Sequence, residues 1–259
     1  MTGFAELHHG AGPLLLPGAW DHASATAFAA EGFRAVGTTS LGVAAAAGLP
    51  DGTSATRDET LRLALTLGSA PFLLSVDAEG GYSEVPEEVG EFARLLAAVG
   101  AVGINLEDGL GPVERHAAKI AAVKAAAPEL FVNARTDTCW LGDGEGTLRR
   151  LDAYREAGAD GVFVPGLTDP RRIAALVRHL DEVPLNVLYS PAGPTLGRLT
   201  DLGVRRVSLG SLPYRRALGA ALEAVREIRA GRTPRGAAPS YADADAWARR
   251  GDPAHSAGR

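Results

Sequence analysis

The sequence predicts a single α/β domain folded as a (β/α)8 TIM barrel. Short β-branched or leucine-rich runs alternate with amphipathic stretches rich in Ala, Leu, Arg and Glu, which is typical of parallel strands joined by helices. Eight such runs occur, and the length of 259 residues is near the usual size of this barrel. An open doubly wound sheet stays possible at this point, because strand order is not visible in a sequence.

The strand predictions follow the apolar runs in chain order. Helices are clearest at Pro86–Val99, which has Pro in its first turn, and at Thr147–Ala157, and each is followed by a Gly. Asp169 and Pro170 predict the start of another helix, as N-cap and first helical residue. The eight strands are predicted at Leu14–Leu16, Ala35–Thr39, Phe72–Val76, Val102–Leu106, Leu130–Ala134, Gly161–Val164, Leu185–Leu188 and Arg205–Ser208.

Residues 1–231 are predicted to form the barrel and residues 232–259 a C-terminal extension. After Gly231 the composition shifts to Gly, Pro, Ala, Arg and Asp, which is typical of a segment that is mobile or lies on a neighbouring subunit. Within it, Ser240 is followed three residues later by Asp243, a pattern that indicates a short helix over Ser240–Arg249.

Composition excludes several classes of partner. The formal net charge is −5 and no basic stripe marks a surface for nucleic acid. The N-terminus lacks the features of a signal peptide, and Pro, Gly or charge interrupts each apolar stretch before it reaches membrane-spanning length. The single cysteine, Cys139, excludes an internal disulfide framework. We therefore expect a soluble, cytoplasmic protein that binds a small molecule.

Carboxylates follow two neighbouring predicted strands. Asp77 and Glu79 come after the third strand, and Glu107 comes at the end of the fourth. In β/α barrels the carboxyl ends of the strands carry the chemistry, and buried carboxylates there need a cation or a hydrogen-bond donor. Mg²⁺ prefers oxygen ligands and keeps several waters, so one direct carboxylate is sufficient. The pattern predicts a metal bound directly by Asp77, with Glu79 and Glu107 around it; alternatively, these acids pair with Arg or cap helices.

Other strand ends offer groups for an anionic substrate. Arg135 ends the fifth strand, and its guanidinium matches a carboxylate or phosphate; the alternative is a structural ion pair with Asp137 or Glu107. Tyr82 is a candidate proton donor, although its ring could instead pack with the hydroxyl on the rim. The candidate substrate-binding residues, besides Arg135, are Trp20, Asp21, Ser40, Leu41, Gly42 and Asn186.

Six motifs, in this order, resemble those of the isocitrate lyase and phosphoenolpyruvate mutase superfamily. The resemblance runs from about Leu16 to Ile228. The motifs are Pro17–Asp21, Thr38–Val43, Gly48–Gly52, Asp77–Tyr82, Ile104–Asp108 and Asn133–Asp137.

The resemblance implies a β/α barrel whose last helix is exchanged between subunits of a dimer of dimers. It also implies Mg²⁺, or Mn²⁺ as an alternative, with a 2-oxo acid or its enolate bound to the metal. By motif position Asp77 resembles the direct ligand, while Asp51, Glu79 and Glu107 resemble residues that bind through water. Spacing alone would make Asp51 a turn residue. The motifs also make Ser40, Leu41 and Gly42 the substrate-anion loop and Arg135 the carboxylate clamp; the candidate catalytic residues are Asp51, Arg135 and Tyr82.

The chain departs from the superfamily pattern after Asp108. Members that cleave isocitrate or methylisocitrate carry a Cys in this segment, whereas Gly109–His116 has none. Gly109 also replaces the Lys of phosphoenolpyruvate mutases, which removes a charge that would stabilise a phosphoryl group. Cys139 matches no motif and is predicted to be an inert thiol, and His116 to be solvated or capping.

These observations favour a Mg²⁺-dependent C–C bond lyase or hydrolase. It would act on a small 2-oxo or 2-hydroxy dicarboxylate, such as an oxaloacetate or malate derivative, through a metal-stabilised enolate. The alternatives are phosphoenolpyruvate/phosphonopyruvate mutase activity and a barrel that binds a metabolite without turnover. A phosphate site at Gly210 and Ser211 would leave the acids of the third and fourth strands unexplained.

Overall fold

The structure is a computed structural model that describes residues 3–249. The end of the predicted C-terminal extension, residues 250–259, lies outside the described residues. The strands are β1 (Leu14–Leu16), β2 (Gly18–Ala19), β3 (Ala35–Thr38), β4 (Leu73–Asp77), β5 (Ala101–Glu107), β6 (Phe131–Arg135), β7 (Gly161–Val164), β8 (Leu185–Leu188) and β9 (Arg206–Ser208). The helices are α1 (Gly3–Glu6), α2 (His22–Ala30), α3 (Ser40–Ala47), α4 (Arg57–Leu67), α5 (Pro86–Ala98), α6 (Val113–Ala126), α7 (Thr147–Glu156), α8 (Pro170–Leu180), α9 (Leu196–Asp201), α10 (Leu212–Arg229) and α11 (Tyr241–Ala248).

All strands are parallel and lie in the order β1-β9-β8-β7-β6-β5-β4-β3-β2. β1 and β2 are separated by Pro17 alone, and they pair on opposite sides with β9 and β3. The carbonyl oxygens of Leu16 and Pro17 accept hydrogen bonds from Leu209 and Gly37 at 2.9 and 2.8 Å, which closes the sheet into a barrel. The predicted barrel is confirmed, and each of the eight predicted strands ends within one residue of its observed bounds.

The predicted helix starts are confirmed by their local chemistry. α5 has Pro86 in its first turn, and the Asp169 carboxylate accepts hydrogen bonds from the first backbone N–H groups of α8. Ser240 and Asp243 form the predicted capping box of α11. Such caps satisfy backbone N–H groups that have no partner within the helix, and they fix where each helix begins.

Apolar side chains fill the space between the strands and the helices. One cluster packs α5 and α6 on β4 to β6, and a second packs α8 on β7 to β9. The amino end of the barrel is covered by α1, which the sequence did not predict. There Phe4 and His8 pack on the ring of Phe131, with ring centroids 5.5 and 4.4 Å away.

The two C-terminal helices, α10 and α11, differ in how much of their surface packs against the rest of the chain. Most residues of α10 are exposed, whereas α11 packs against α2 of the same chain. The carbonyl oxygen of Arg249, just after α11, lies 3.3 Å from His22 Nε2. Among residues 3–249, no helix has the length and apolar character to cross a membrane.

Candidate active site

A cavity of about 330 Å³ opens at the carboxyl ends of the strands. Strands of a β/α barrel converge here, so groups that are distant in sequence come together. Five of the residues predicted for the site line this cavity: Ser40, Leu41, Asp51, Asp77 and Arg135.

Asp77 ends β4 and is held in place by its neighbours on β3 and α3. Its backbone N–H donates to Thr38 Oγ1 at 2.8 Å, and its Oδ2 accepts from the Ser40 backbone N–H at 3.3 Å. Burial raises the pKa of Asp77, Arg135 and Ser40 oppose this rise, and Asp51 adds to it. A cation in the cavity would therefore stabilise the charged form of this carboxylate.

Arg135 forms both ion pairs that the sequence left open. Its Nη1 lies 2.7 Å from Glu107 Oε2, and its Nη2 and Nε each lie 2.7 Å from Asp137 Oδ1. Burial raises the pKa of Glu107 to about 8; Arg135 opposes the rise, and Asp77 and Asp137 add to it. Since a guanidinium carries five N–H donors, each Nη of Arg135 keeps one N–H for a ligand.

Glu79 is buried and holds a loop instead of lining the cavity. Its carboxylate accepts hydrogen bonds from Thr56 Oγ1 at 2.5 Å and from the Ser54 backbone N–H at 2.9 Å. These bonds fix the segment between α3 and α4 that carries Asp51. Glu79 therefore acts on the cavity through the position of that loop.

The carboxylates fit a hard divalent cation that keeps most of its waters. Asp77 and Glu79 add to the raised pKa of Glu107, and Asp51 adds to the raised pKa of Asp77, so the negative charges of these carboxylates repel one another. Within residues 3–249, no three His, Cys, Asp or Glu side chains are close enough together to bind a metal directly. An all-oxygen set with one direct carboxylate and others reached through water suits Mg²⁺ better than metals that need several side-chain ligands.

Tyr82 lies outside the cavity lining. Its ring packs edge-on against Phe92, with centroids 5.0 Å apart, and its hydroxyl lies 3.0 Å from Thr60 Oγ1 and 3.4 Å from Thr56 Oγ1. Burial raises its pKa further above the usual range. The structure thus places the hydroxyl of the predicted proton donor against Thr60 of α4, outside the cavity lining.

Three candidate substrate-binding residues have packing or capping roles near α2. Asp21 accepts a hydrogen bond from the Ser24 backbone N–H at 2.7 Å and caps α2. Trp20 packs against Tyr214, with ring centroids 5.4 Å apart. A Cβ on Gly42 would lie 2.7 Å from Trp20 Cβ, so this position needs a glycine. The cavity lining includes none of Trp20, Asp21 and Gly42.

Two further residues sit in places that the sequence did not indicate. Asn186 is buried inside the barrel beneath the cavity, where its Nδ2 donates to Ser208 Oγ at 2.9 Å. The expectation of a solvated or capping His116 is wrong, because the side chain is buried with its ring centroid 4.5 Å from that of Tyr154. Burial lowers the pKa of His116 to about 4.

Cys139 lies apart from the main cavity. It is half-buried in a groove between α7 and α8, with its Sγ 3.5 Å from Arg172 Nη2.

Asp108 is a structural residue in this structure. Its carboxylate is fully buried and accepts hydrogen bonds from Tyr154 Oη at 2.7 Å, Arg150 Nη1 at 2.9 Å and the Asp137 backbone N–H at 3.1 Å. These bonds fix Asp137, which in turn holds Arg135. The two neighbouring acids at the end of β5 therefore have different positions. Glu107 lies near the cavity, and Asp108 lies beneath the turn that follows the strand.

Sequence reasoning missed three residues that line the cavity from the barrel interior: Asn105, Arg206 and Ser208. Asn105 lies within β5, and Arg206 and Ser208 are the first and last residues of the short strand β9. The signal that could have identified them is polarity at alternate positions of otherwise apolar strands, because alternate residues of a barrel strand face the interior.

Together these features define a β/α-barrel protein with an acidic, arginine-containing site at the carboxyl ends of its strands. The sequence matches the model of the phosphoenolpyruvate phosphomutase family over residues 4–229. The chain belongs to this family, and therefore to the phosphoenolpyruvate mutase/isocitrate lyase superfamily, whose members include lyases and mutases.

Individual relatives agree with this assignment. An uncharacterized protein of Mycobacterium tuberculosis is 46% identical over 235 residues, which covers 88% of this chain and 89% of the relative. An oxaloacetate decarboxylase of Pseudomonas aeruginosa is 32% identical over 198 residues, covering 70% of this chain and 68% of the relative. A solved structure from Burkholderia cenocepacia J2315, described provisionally as a lyase/mutase, is 36% identical with a TM-score of 0.84 and covers 94% of this chain and 93% of that one.

Proposed function

We propose that the protein is a Mg²⁺-dependent C–C bond lyase or hydrolase for a small 2-oxo or 2-hydroxy carboxylate. The observation that carries the proposal is the convergence of Asp77, Asp51 and Arg135 on one cavity of about 330 Å³, a volume suited to a small acid. The oxaloacetate decarboxylase relative, which by its name acts on a small 2-oxo dicarboxylate, supports the substrate class.

Asp77 would hold the cation directly and Asp51 would act through water, as would Glu107 beside Arg135, whereas Glu79 would act by fixing the loop that carries Asp51. Mn²⁺ is an alternative occupant. When bound, the cation would supply a Lewis acid that stabilises negative charge on a substrate oxygen. Arg135 would bind the substrate carboxylate with the N–H that remains on each Nη, since Glu107 and Asp137 fix its orientation.

The substrate-anion loop, formed by Ser40, Leu41 and Gly42, would supply further hydrogen bonds to the substrate. Ser40 and Leu41 line the cavity at the start of α3, where backbone N–H groups lack partners within the helix. The Ser40 hydroxyl and the free N–H groups would donate to a carboxylate or carbonyl oxygen. One of these N–H groups already donates to Asp77, so the loop also ties the substrate region to the predicted metal ligand.

A panel of oxaloacetate, malate and methylated malates, assayed with Mg²⁺ and with EDTA, tests the activity. Asp77→Asn should lower kcat/KM at least about 100-fold, because it removes the predicted charged ligand of a metal that stabilises the reacting oxygen. Asp58→Asn changes an exposed carboxylate on α4 and is the matched control. Turnover that persists in EDTA, or in Asp77→Asn, would contradict the metal role.

Phosphoenolpyruvate/phosphonopyruvate mutase activity is the second candidate, favoured by the description of the matching family. Against it, Gly109 stands where the superfamily mutases place a Lys, so no cation at this position faces a phosphoryl group. ³¹P NMR of phosphonopyruvate with the enzyme would show conversion, and its absence at high enzyme concentration would exclude this candidate.

We also propose that the protein is a homo-oligomer in which the last barrel helix contacts a second copy. Leu218, Leu222, Val225 and Ile228 lie along one side of α10 and are 46 to 64% exposed. An apolar stripe of this length in water favours association with another surface. The stripe supports exchange of α10 between subunits of a dimer of dimers.

A further inference from the structure

The groove between α7 and α8 is a second cavity, with a volume of about 440 Å³. Its lining comes from these two helices and from the segment that follows β6. None of its lining residues belongs to the cavity at the carboxyl ends of the strands. A molecule bound in the groove would therefore occupy a site of its own.

Arg172 lies in this groove and is held in place by two uncharged groups. Its Nη1 donates to the backbone carbonyl of Asp143 at 3.1 Å, and its Nη2 lies 3.5 Å from Cys139 Sγ. Gly144 allows this approach, because it has a φ of +89° and a Cβ there would overlap Arg172 Nη2. The described part of the chain gives Arg172 no ion pair, so the guanidinium is fixed in position while its charge is not balanced by an acid.

The other basic side chains of the groove are beside acids. Arg149 Nη2 lies 2.9 Å from Glu114 Oε1, and His179 Nε2 lies 2.7 Å from Asp152 Oδ1. A guanidinium carries five N–H donors, and the contacts within the chain use two of those on Arg172. Arg172 is therefore the cation of the groove that has both donors and charge left for an anion.

The groove also has an apolar wall next to this cation. Leu148 on α7 and Ala175 and Leu176 on α8 belong to its lining. Leu148 is 47% exposed, so part of an apolar side chain faces water in a concave surface. Small-molecule sites typically combine apolar walls of this kind with a few fixed polar groups.

We propose that the groove binds a small organic anion, with its carboxylate or phosphate on Arg172 and its apolar body against Leu148 and Leu176. The anion accepts hydrogen bonds from N–H donors that Arg172 does not use within the chain, and a guanidinium suits both kinds of anion. The apolar body removes the exposed part of Leu148 from water. The inference does not rest on the proposed function, because the two cavities share no lining residue.

Benzoate and phenyl phosphate test the proposal, because they carry the two kinds of anion on the same apolar ring. Titrations of the full chain, followed by ligand-observed NMR of the ring protons, should show saturable binding of at least one probe and so identify the preferred anion. In Arg172→Gln the affinity for that probe should fall at least about fivefold, because a charge-assisted hydrogen bond is lost. Arg171→Gln changes an exposed arginine of α8 outside the groove lining and should keep the affinity.

Cys139 provides a second measurement, since it is the only cysteine of the chain and lines the groove. The bound probe should slow alkylation of Cys139 by iodoacetamide, whereas inorganic phosphate, which has no apolar body, should not. If the free protein is not alkylated, the NMR titrations decide alone. Absence of saturable binding, equal affinity in Arg172→Gln, or protection of Cys139 by inorganic phosphate as strong as that by the probe would overturn the proposal. None of these results would bear on the proposed function.

Discussion

Lowering the pH from 7 to 5 should destabilise the fold through His116, which is buried against the ring of Tyr154. Burial lowers the pKa of this imidazole from 6.5 to about 4. The unfolded chain therefore binds a proton below about pH 6.5, whereas the native protein binds it only below about pH 4. His116 costs no stability above the upper value, and its effect grows as the pH falls through this window.

The size of the effect follows from the linkage between protons and folding. Each pH unit within the window changes the free energy of unfolding by about 1.4 kcal/mol, and about 1.5 units lie between pH 6.5 and pH 5. The expected loss attributable to His116 between pH 7 and pH 5 is therefore about 2 kcal/mol. This is a large share of the stability of a typical domain.

Urea unfolding at pH 7, 6 and 5 measures the loss in the unmodified protein and in His116→Gln, which has no titrating side chain there. The difference in stability between the two proteins should change by about 2 kcal/mol over this range. Burial also lowers the pKa of His8, to about 3, but His8 is present in both proteins and its contribution cancels. His9→Gln changes an exposed histidine and should keep the original slope. Equal slopes with and without His116 would refute the reasoning.

Three further substitutions test other features. Tyr154→Phe removes a 2.7 Å hydrogen bond to the buried Asp108 carboxylate and should lower the free energy of unfolding in urea by about 1.5–3 kcal/mol; a loss below about 0.5 kcal/mol would contradict the structural role of Asp108. Tyr82→Phe should leave kcat unchanged in steady-state assays, because its hydroxyl faces Thr60; a loss of about tenfold or more would return Tyr82 to the role of proton donor. Leu222→Glu places a charge on the exposed apolar side of α10 and should reduce the mass measured by light scattering after size exclusion; an unchanged oligomer would count against association through this helix.

The strands could be predicted because both faces of a parallel barrel strand are buried. Gly161–Val164 and Leu185–Leu188, for example, read as short apolar runs between helix ends, and the structure has the same bounds. The helix α1 could not be predicted, since four residues are too few to show helical periodicity. α1 covers the amino end of the barrel because Phe4 packs against Phe131, and these two residues come together only in the closed barrel.

Within the site, position along a strand was easier to predict than side-chain direction. Asp77 and Arg135 end their strands and reach the cavity, as the barrel rule requires. Tyr82 has a φ of +61°, and this left-handed backbone turns its side chain towards α4. Arg206 could not be predicted from the carboxyl ends of the strands because it begins β9, although Arg206 and Ser208 flank the outward-packing Val207 in an alternating pattern.

The interruption at Pro17, between β1 and β2, lies where the barrel has one of its shortest strand pairings. β2 contributes two residue pairs to its ladder with β3, whereas β5 and β6 share five, and Pro17 has no N–H to donate. Hydrogen exchange at the amides of Gly18, Ala19 and Gly37 should therefore precede exchange in β5 and β6. Gly18 also lines the cavity, so this junction is where a local separation of strands would widen the entrance to the site while the opposite half of the barrel stays folded.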